Sequence, residues 1–555
     1  MKASSSALPV AVVFLACTCL PTLINASQFS SSQEVPSVKR EETAVNHPLF
    51  FDMPIDHFGN TSGTFKNRYW VNDTYYRPGG PVFLFDSGEQ DAEPLLPYYL
   101  QEFHGLSATM RLAKRYRGIA LLWEHRFYGT SLPFPVNANT TAGQWQFLNT
   151  EQALEDVVYF ANRFVHSSTK VSLHPSSTPW IWIGGSYPGV RGALMRVRNP
   201  DIIFATWAAS APVQAEIDMA SYYKAAERSL TRNCSADWVA VTKFVDQTLM
   251  TGTEDEQIGL KVRLWSARES GPTKRVNVSR EIAASLSNVQ AASVLMDPLN
   301  FYQYYGFEAS LLPFCNLLET RNFTTDPLEL GLISSITINA TLDAFLTAIT
   351  QLDYDSIRGD ADDPIGDRSW MRQYCSEYGF YQRGDPNNPL SIETSFRSLE
   401  LFQQQCNLAF PTGLPPAPQV EHINKYGGWF MNVSNVFFTN GEFDPWRTMG
   451  LASIEPNSPQ RQPSTAIPTC NDAPPFPSFF GLTHANQVHV SDLRVLLTPD
   501  SNHTNFKTVG FFSPVATNGE PFYAGLGLFE MALDEWLPCF EPKGKIASSQ
   551  ESLNI

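Results

Sequence analysis

The feature that most constrains the fold is a short apolar run that meets two glycines and a serine and then becomes helical. Residues 180–183 (Trp-Ile-Trp-Ile) suit a buried strand, and apolar residues repeat at helical spacing over 190–197. Between them lie Gly184, Gly185 and Ser186. In a strand–turn–helix of this kind the serine takes a strained backbone conformation that exposes its hydroxyl, so its neighbours must be small. The turn is therefore a candidate nucleophile elbow.

The residues after Ser186 agree with this interpretation only in part. Pro188 stands where a G-x-S-x-G pattern has its last glycine, and Gly189 comes one residue later. Proline is tolerated in a first helical turn, because its missing N–H would have no helical partner there. The N–H of Tyr187, at the start of the helix, is a candidate donor to an oxyanion.

Strands and helices alternate on both sides of this turn, which predicts a mostly parallel, doubly wound sheet. After residue 213 helical patterns replace the short apolar runs for about 200 residues, up to a proline-rich stretch at 411–418. A strand pattern returns at 433–439. The chain is therefore expected to be an α/β protein with an α/β-hydrolase fold. A large helical cap is inserted before the strand that carries the acid.

Acyl transfer by serine needs a base and an acid that orients the base. In this fold class they follow the serine in the order acid, then histidine, at the ends of later strands. Asp444 follows the predicted strand at 433–439, and His489 follows an apolar segment at 480–488. The sequence leaves Glu442 open as an alternative acid and His484 as an alternative base. We expect His57 and His125 to be structural.

The loop after the predicted strand at 81–85 is where this fold class supplies a second oxyanion donor, which points to Gly88. Glu89 beside it is a hypothetical partner for a free amino group. Trp446 and Tyr187 are expected to line a substrate pocket, because they adjoin the acid and the nucleophile.

The 555 residues are too many for one ordinary core. Lys2, the apolar run to Leu23 and the small pair at 26–27 predict a signal peptide and hence a secreted protein, or one in an acidic vacuole or lysosome. No other stretch is apolar enough to span a membrane. The expected divisions are a signal peptide (1–26), a leader (27–46), two parts of the hydrolase domain (47–212 and 428–545), the cap (213–427) and a tail (546–555).

Six cysteines remain after the signal, and an even number in an exported chain predicts three disulfides, whose pairing stays open. Their spacing does not fit a zinc site, and we expect no metal and no cofactor. The net charge of −16 argues against nucleic acid as a partner. We expect a monomer or homodimer. Sequons predict surface glycans at Asn60, Asn72, Asn139, Asn233, Asn277, Asn322, Asn339, Asn432 and Asn502.

Several stretches together resemble a family of serine peptidases, the one that contains lysosomal Pro-X carboxypeptidase, dipeptidyl peptidase II and the acid prolyl endopeptidases. The resemblance runs from about Phe50 to about Leu537. It is carried by Glu124-His125-Arg126-Phe127-Tyr128-Gly129, Glu151-Gln152-Ala153-Leu154, Gly184-Gly185-Ser186-Tyr187, Ser210-Ala211-Pro212-Val213, Asn440-Gly441-Glu442-Phe443-Asp444-Pro445-Trp446 and His489-Val490-Ser491-Asp492-Leu493.

The resemblance implies a triad of Ser186, Asp444 and His489, cleavage of peptides after proline or alanine, and work at acidic pH. The exopeptidase types, which release a dipeptide or a C-terminal residue, are expected first. A prolyl endopeptidase, a secreted esterase or lipase and a silent binding protein are the alternatives. Pro188, Val490 and the loop at 86–89 depart from the family pattern.

Overall fold

The computed structural model describes residues 47–101, 107–167, 169, 171–319, 330–352, 363–493 and 519–542. The predicted signal peptide, leader and tail, and the sequons at Asn322 and Asn502, lie outside the described residues.

A nine-stranded sheet forms the centre of the molecule, in the order β1-β2-β4-β3-β5-β6-β9-β11-β10. A second sheet pairs β7 with β8. The strands are β1 (Leu49–Pro54), β2 (Thr64–Asn72), β3 (Val82–Asp86), β4 (Ile119–Trp123), β5 (Trp180–Gly185), β6 (Ala205–Ala209), β7 (Glu216–Asp218), β8 (Gly379–Tyr381), β9 (Val436–Gly441), β10 (Gln462–Ser464) and β11 (Ser478–His484).

The sheet is parallel from β4 to β10, and the antiparallel pair β1-β2 extends it at one edge. Parallel strands bring their carboxyl ends to one edge, which is where a site forms in such sheets. Asp56 accepts the N–H groups of Phe58 and Gly59 and makes the turn after β1.

Helices cover both faces of this sheet. The longer α-helices are α1 (Ala108–Tyr116), α2 (Thr150–Ala161), α3 (Tyr187–Arg198), α4 (Arg232–Thr251), α5 (Glu254–Arg268), α6 (Leu312–Glu319), α7 (Ile338–Gln351), α8 (Pro364–Gln373), α9 (Leu399–Ala409) and α10 (Gly519–Trp536). Shorter ones lie at Leu96–Tyr99, Ala142–Trp145, Lys224–Ser229, Arg280–Ser285, Asn288–Ala292, Tyr302–Gly306 and Glu421–Asn424.

Alternate residues of each central strand enter two different cores. Leu84 packs in the core that includes α2 and α3. Phe83 and Phe85 pack in the core that includes α1 and α10. A strand of a parallel sheet that is buried on both faces has a continuous apolar sequence, which is why β3 and β5 were predictable. Sheet order and layering together define an α/β-hydrolase fold and confirm the predicted fold class.

The chain between β6 and β9 is mainly helical and has an apolar core of its own, built on α4, α5, α6 and α7. Its small sheet of β7 and β8 was not predicted, because three-residue strands carry too short a pattern to detect. Two disulfides, Cys234–Cys315 and Cys375–Cys406, lie within this segment. A third, Cys470–Cys539, ties the C-terminal region, so three disulfides are confirmed.

The sequons differ in their surroundings. Asn60, Asn139, Asn277, Asn339 and Asn432 are exposed, and Asn233 is half-buried on α4. Asn72 is buried at the end of β2, where its amide donates to Leu100 O (2.8 Å). The expectation of a surface position at Asn72 is therefore wrong, since a sequon is a local pattern whereas burial depends on tertiary packing.

Within the described ranges we find no helix long and apolar enough to cross a bilayer. The same residues contain no cluster of His, Cys, Asp or Glu suited to a metal ion.

Candidate active site

Ser186 lies between the last residue of β5 and the first residue of α3, with φ +64° and ψ −130°. Its N–H donates to Ala209 O on β6 (2.8 Å). Neither of the two glycines before Ser186 has room for a side chain. A Cβ on Gly184 would lie 2.6 Å from the backbone of Pro188, and one on Gly185 would lie 2.4 Å from Val490 Cγ1. The turn therefore has the backbone strain and small neighbours expected of a nucleophile elbow.

Asp444 and His489 form a buried pair. Asp444 follows β9, and its Oδ1 accepts the N–H of Trp446 and the Nδ1–H of His489, each at 2.9 Å. With the proton on Nδ1, the Nε2 atom of His489 is an acceptor. Nε2 is buried and has no hydrogen-bond partner among the described residues. The bond to Asp444 thus fixes the tautomer that a base requires.

Ser186 and His489 line the same cavity at the carboxyl ends of the strands. Loop residues from the end of β3, including Ser87 and Glu89, form another wall, and Tyr304 enters from the segment between β6 and β9. The structure thus brings the candidate nucleophile and base to one cavity, with the candidate acid bonded to the base.

The alternative acid and base lie elsewhere. His484 is the last residue of β11, and its Nε2 faces Asp492 Oδ2 (3.3 Å). Glu442 accepts the N–H of Asn486 (2.9 Å) through its carboxylate. Neither lines the cavity with Ser186. The geometry therefore favours Asp444 and His489.

Trp446 and Gln303 support His489. The Trp446 ring lies 6.2 Å from the His489 ring, and its indole N–H donates to Gln303 Oε1 (2.9 Å). Gln303 O accepts the backbone N–H of His489 (3.1 Å). Trp446 is buried and does not line the cavity that Ser186 lines, and its place in a substrate pocket stays a prediction. Gln303 was missed, because no local signal reports a contact with residues this distant in sequence.

The residue after His489 is strained. Val490 has φ +53°, which is unfavourable for a β-branched side chain. Its N–H donates to the Ser210 hydroxyl (2.8 Å), and Ser210 N–H donates to Thr439 O (2.6 Å). These bonds hold the loop of His489 against the ends of β6 and β9.

The loop after β3 is fixed by an ion pair between Asp86 and Arg191 (2.6 Å), both buried. Gly88 has φ +65°, and its N–H donates to Asp86 Oδ1 (3.3 Å). Gly88 does not line the cavity, although both neighbours do. The structure thus argues against the predicted role of Gly88 as second oxyanion donor. A Cβ at this position would lie 2.2 Å from Pro188 Cγ, so the glycine lets the loop rest on the elbow.

Gly88→Ala should lower kcat/KM about 100-fold, because the added methyl forces the loop away from the elbow and misplaces the cavity wall. Steady-state kinetics on a peptide substrate would measure this. Gly259→Ala is the matched control, since a Cβ there meets nothing within 4 Å. Unchanged kinetics in Gly88→Ala would contradict the packing argument.

The two charged residues of the triplet Glu124-His125-Arg126 brace the site through ion pairs. Glu124 pairs with Arg68 (2.6 Å) and Arg126 with Asp156 (2.6 Å). Asp156 also holds His57 (2.7 Å), which gives that histidine the expected structural role.

His125 keeps the side chain of Tyr187 out of the cavity. Its Nδ1–H donates to Arg126 O (2.6 Å), and its Nε2 accepts the Tyr187 hydroxyl (2.9 Å). Burial lowers the pKa of His125 well below its usual value, and nearby Arg191 adds to the effect, so the ring stays neutral. Gln373 donates to the same hydroxyl (2.7 Å). The expectation that Tyr187 lines the substrate pocket is therefore wrong, although its backbone N–H starts α3 beside Ser186.

The sheet defines an α/β-hydrolase fold, and its cavity brings together a serine and a histidine, with an aspartate bonded to the histidine. Comparison with known proteins gives a narrower class. The family described as "Serine carboxypeptidase S28" matches residues 53–462. The chain belongs to this family and is a serine-type peptidase, which confirms the resemblance found in the sequence.

Curated relatives agree with the family. "Serine protease vicPb" of Bipolaris victoriae is 27% identical over 78% of this chain and 85% of its own. "Thymus-specific serine protease" of Homo sapiens is 30% identical over 70% of this chain and 74% of its own. "Lysosomal Pro-X carboxypeptidase" of Homo sapiens is 25% identical over 73% of this chain and 78% of its own.

Proposed function

We propose that this chain cleaves peptides after proline, or alanine, through an acyl-enzyme on Ser186. The observation that carries the proposal is the bond from His489 to Asp444, with the buried Nε2 of His489 at the cavity that Ser186 lines. A base fixed in this tautomer is the requirement for activating a serine hydroxyl. The preference for proline rests on the family, which includes a Pro-X carboxypeptidase.

In the proposed mechanism His489 Nε2 takes the Ser186 proton while Oγ attacks the carbonyl carbon of the substrate. Asp444 stabilises the imidazolium that forms. The tetrahedral oxyanion accepts the N–H of Tyr187, where the start of α3 adds partial positive charge. His489 then protonates the leaving amine. Water, activated by His489 in the same way, attacks the acyl-enzyme and releases the carboxylic acid.

We further propose that residues 213–427 form a cap, inserted between hydrolase parts at 47–212 and 428–545. The separate apolar core of this segment supports the division, as does Tyr304, which reaches the cavity from it. A cap in this position would limit the length of the peptide that reaches Ser186.

The charge of the cavity favours the release of an N-terminal dipeptide. Its described lining contains the carboxylates of Asp86 and Glu89 and neither lysine nor arginine. Asp86 pairs with Arg191, and we assign the contact with a free amino group to Glu89 on the same wall of the cavity. A substrate carboxylate would find no matching cation there.

This proposal is tested with proline-containing peptides that carry free or blocked ends. N-terminal acetylation should lower kcat/KM at least about 30-fold, because it removes the partner of Glu89, and C-terminal amidation should have little effect. Glu89→Gln should reduce the difference between free and acetylated peptides. Mass spectrometry of the products identifies the bond. Loss of activity on amidation, or cleavage of short esters without cleavage of peptides, would contradict the proposal.

We also propose that the protein works at acidic pH, as two buried carboxyls suggest. Glu319 at the end of α6 lies against Asp237 on α4, and both are buried. Asp237 accepts the N–H groups of Leu332 and Ile333 (2.7 Å each). Burial, and then the charge of Asp237, raise the pKa of Glu319 to about 8.

The raised pKa of Glu319 makes the free energy of unfolding depend on pH in one direction. The folded state holds a proton that the unfolded chain releases above its ordinary pKa, so stability is greatest in acid and falls as pH rises toward the folded pKa. The melting temperature should therefore decrease from about pH 5 to about pH 8. Glu319→Gln should reduce this decrease, as thermal unfolding in a series of buffers would show. A variant with the wild-type slope would exclude Glu319 as the cause.

A further inference from the structure

Exposed phenylalanines cluster at two sequons. Among the described residues, Phe50, Phe58, Phe430 and Phe476 are the exposed ones. Phe58 lies two residues before Asn60, and Phe430 lies two residues before Asn432. Phe476 stacks on Phe430, with ring centroids 6.2 Å apart and planes at 17°. Two of these four rings therefore lie two residues before a sequon asparagine and a third stacks on one of them, although exposed aromatic surface is unfavourable in water.

Each ring lies close in sequence to its asparagine, and both are exposed. Met431 is buried between the exposed Phe430 and Asn432, so the side chains before and after it both face solvent. At the other sequon, Asp56 accepts the N–H groups of Phe58 (3.1 Å) and Gly59 (3.0 Å), so Phe58 and Asn60 flank one tight turn.

We propose that Asn60 and Asn432 carry N-linked glycans whose first N-acetylglucosamine packs its apolar face on Phe58 and Phe430. A sugar ring has C–H groups on one face, and covering an aromatic ring with them removes apolar surface from water. At Asn432 the paired ring of Phe476 widens this platform. The inference rests on export of the chain and is independent of its catalytic activity.

Attachment requires a lipid-linked oligosaccharide diphosphate as co-reactant. The side-chain amide nitrogen of asparagine displaces the diphosphate from C1 of the first N-acetylglucosamine. The new C–N bond forms as the C–O bond breaks, the amide nitrogen loses a proton, and the lipid diphosphate leaves. The modification precedes folding, so the bond from Arg196 to the Ser434 hydroxyl in the folded chain does not prevent it.

The other sequons offer contrasts. Asn139 and Asn277 are exposed, but the residues two positions earlier are Asn137 and Arg275, which provide no ring. Trp70 precedes Asn72 by two positions, yet both residues are buried. Sugars at Asn139 or Asn277 would therefore project into solvent without this packing.

The test uses the full chain secreted from a eukaryotic host. Glycopeptide mass spectrometry should find both Asn60 and Asn432 occupied. Phe430→Ala should lower the melting temperature about 1 to 3 °C more in the glycosylated protein than in an Asn432→Gln background. Phe58→Ala and Asn60→Gln should show the same coupling. Arg275→Ala with Asn277→Gln is the matched control and should show none.

Enzymatic trimming gives a second measurement that needs no variant. Cutting each glycan back to its first sugar should keep the melting temperature, and removing that sugar should lower it. An unoccupied Asn60 or Asn432, or equal effects of the phenylalanine substitutions in both backgrounds, would overturn the proposal. Peptidase activity is not the readout, so failure here is distinct from failure of the proposed function.

Discussion

Ser186→Ala should lower kcat about 10⁶-fold and abolish labelling by a fluorophosphonate probe, while the fold remains intact. The substitution removes the one oxygen that would form the acyl-enzyme. Alanine has nearly the same backbone preferences as serine, so the strained turn at φ +64° changes little. Active-site labelling followed by peptide mass spectrometry, together with steady-state kinetics, measures both effects.

The cavity supplies a matched control, because Ser87 lines it as well. Ser87→Ala should still react with the probe, at a rate within about tenfold of wild type, because the proposed mechanism gives the Ser87 hydroxyl no part in the reaction. Labelling that survives in Ser186→Ala and disappears in Ser87→Ala would identify Ser87 as the nucleophile and contradict the proposal for Ser186.

The local part of this site was predictable from sequence because its constraints are local. A nucleophile elbow needs small residues at fixed offsets, and Gly184 and Gly185 meet Pro188 and Val490 at distances that admit no side chain. Apolar runs such as β3 and β5 likewise reflect burial on both faces. The α/β-hydrolase fold and the family followed from these patterns and are confirmed.

Side-chain direction was not predictable from sequence. Trp446 and Tyr187 adjoin Asp444 and Ser186 along the chain, yet their rings pack behind the site on partners far away in sequence. Trp446 faces Gln303, and Tyr187 faces His125. Such long-range partners leave no periodic pattern, so the sequence does not show in which direction either ring points.

The same limit explains the errors at Gly88 and Asn72. Each residue matches a local pattern, one for a hydrolase loop and one for glycosylation. The Gly88 N–H, however, is engaged by Asp86, and the Asn72 amide by Leu100 O. Whether a polar group faces substrate or solvent in the folded chain depends on tertiary packing and hydrogen bonds, which the sequence pattern does not contain.

Asp444→Ala should lower kcat about 10⁴-fold, because His489 loses both the acceptor that fixes its tautomer and the charge that stabilises the imidazolium. Glu442→Ala is the matched control: its carboxylate accepts a backbone N–H of Asn486 away from the cavity, so kcat should stay within about tenfold of wild type. Equal losses in the two variants would indicate a general disturbance of the loop after β9.

Asp444→Asn separates orientation from charge. Asp444 Oδ1 accepts both Trp446 N–H and His489 Nδ1–H, and the carbonyl oxygen of an asparagine can keep both bonds. The NH2 group then takes the place of Oδ2, which accepts the Asn440 amide (3.4 Å). In this arrangement only the negative charge is lost, so the fall in kcat should be smaller than in Asp444→Ala, with melting temperature checked in each variant. An asparagine variant as slow as the alanine variant would show that the amide does not replace the carboxylate, through loss of the charge or of the His489 tautomer.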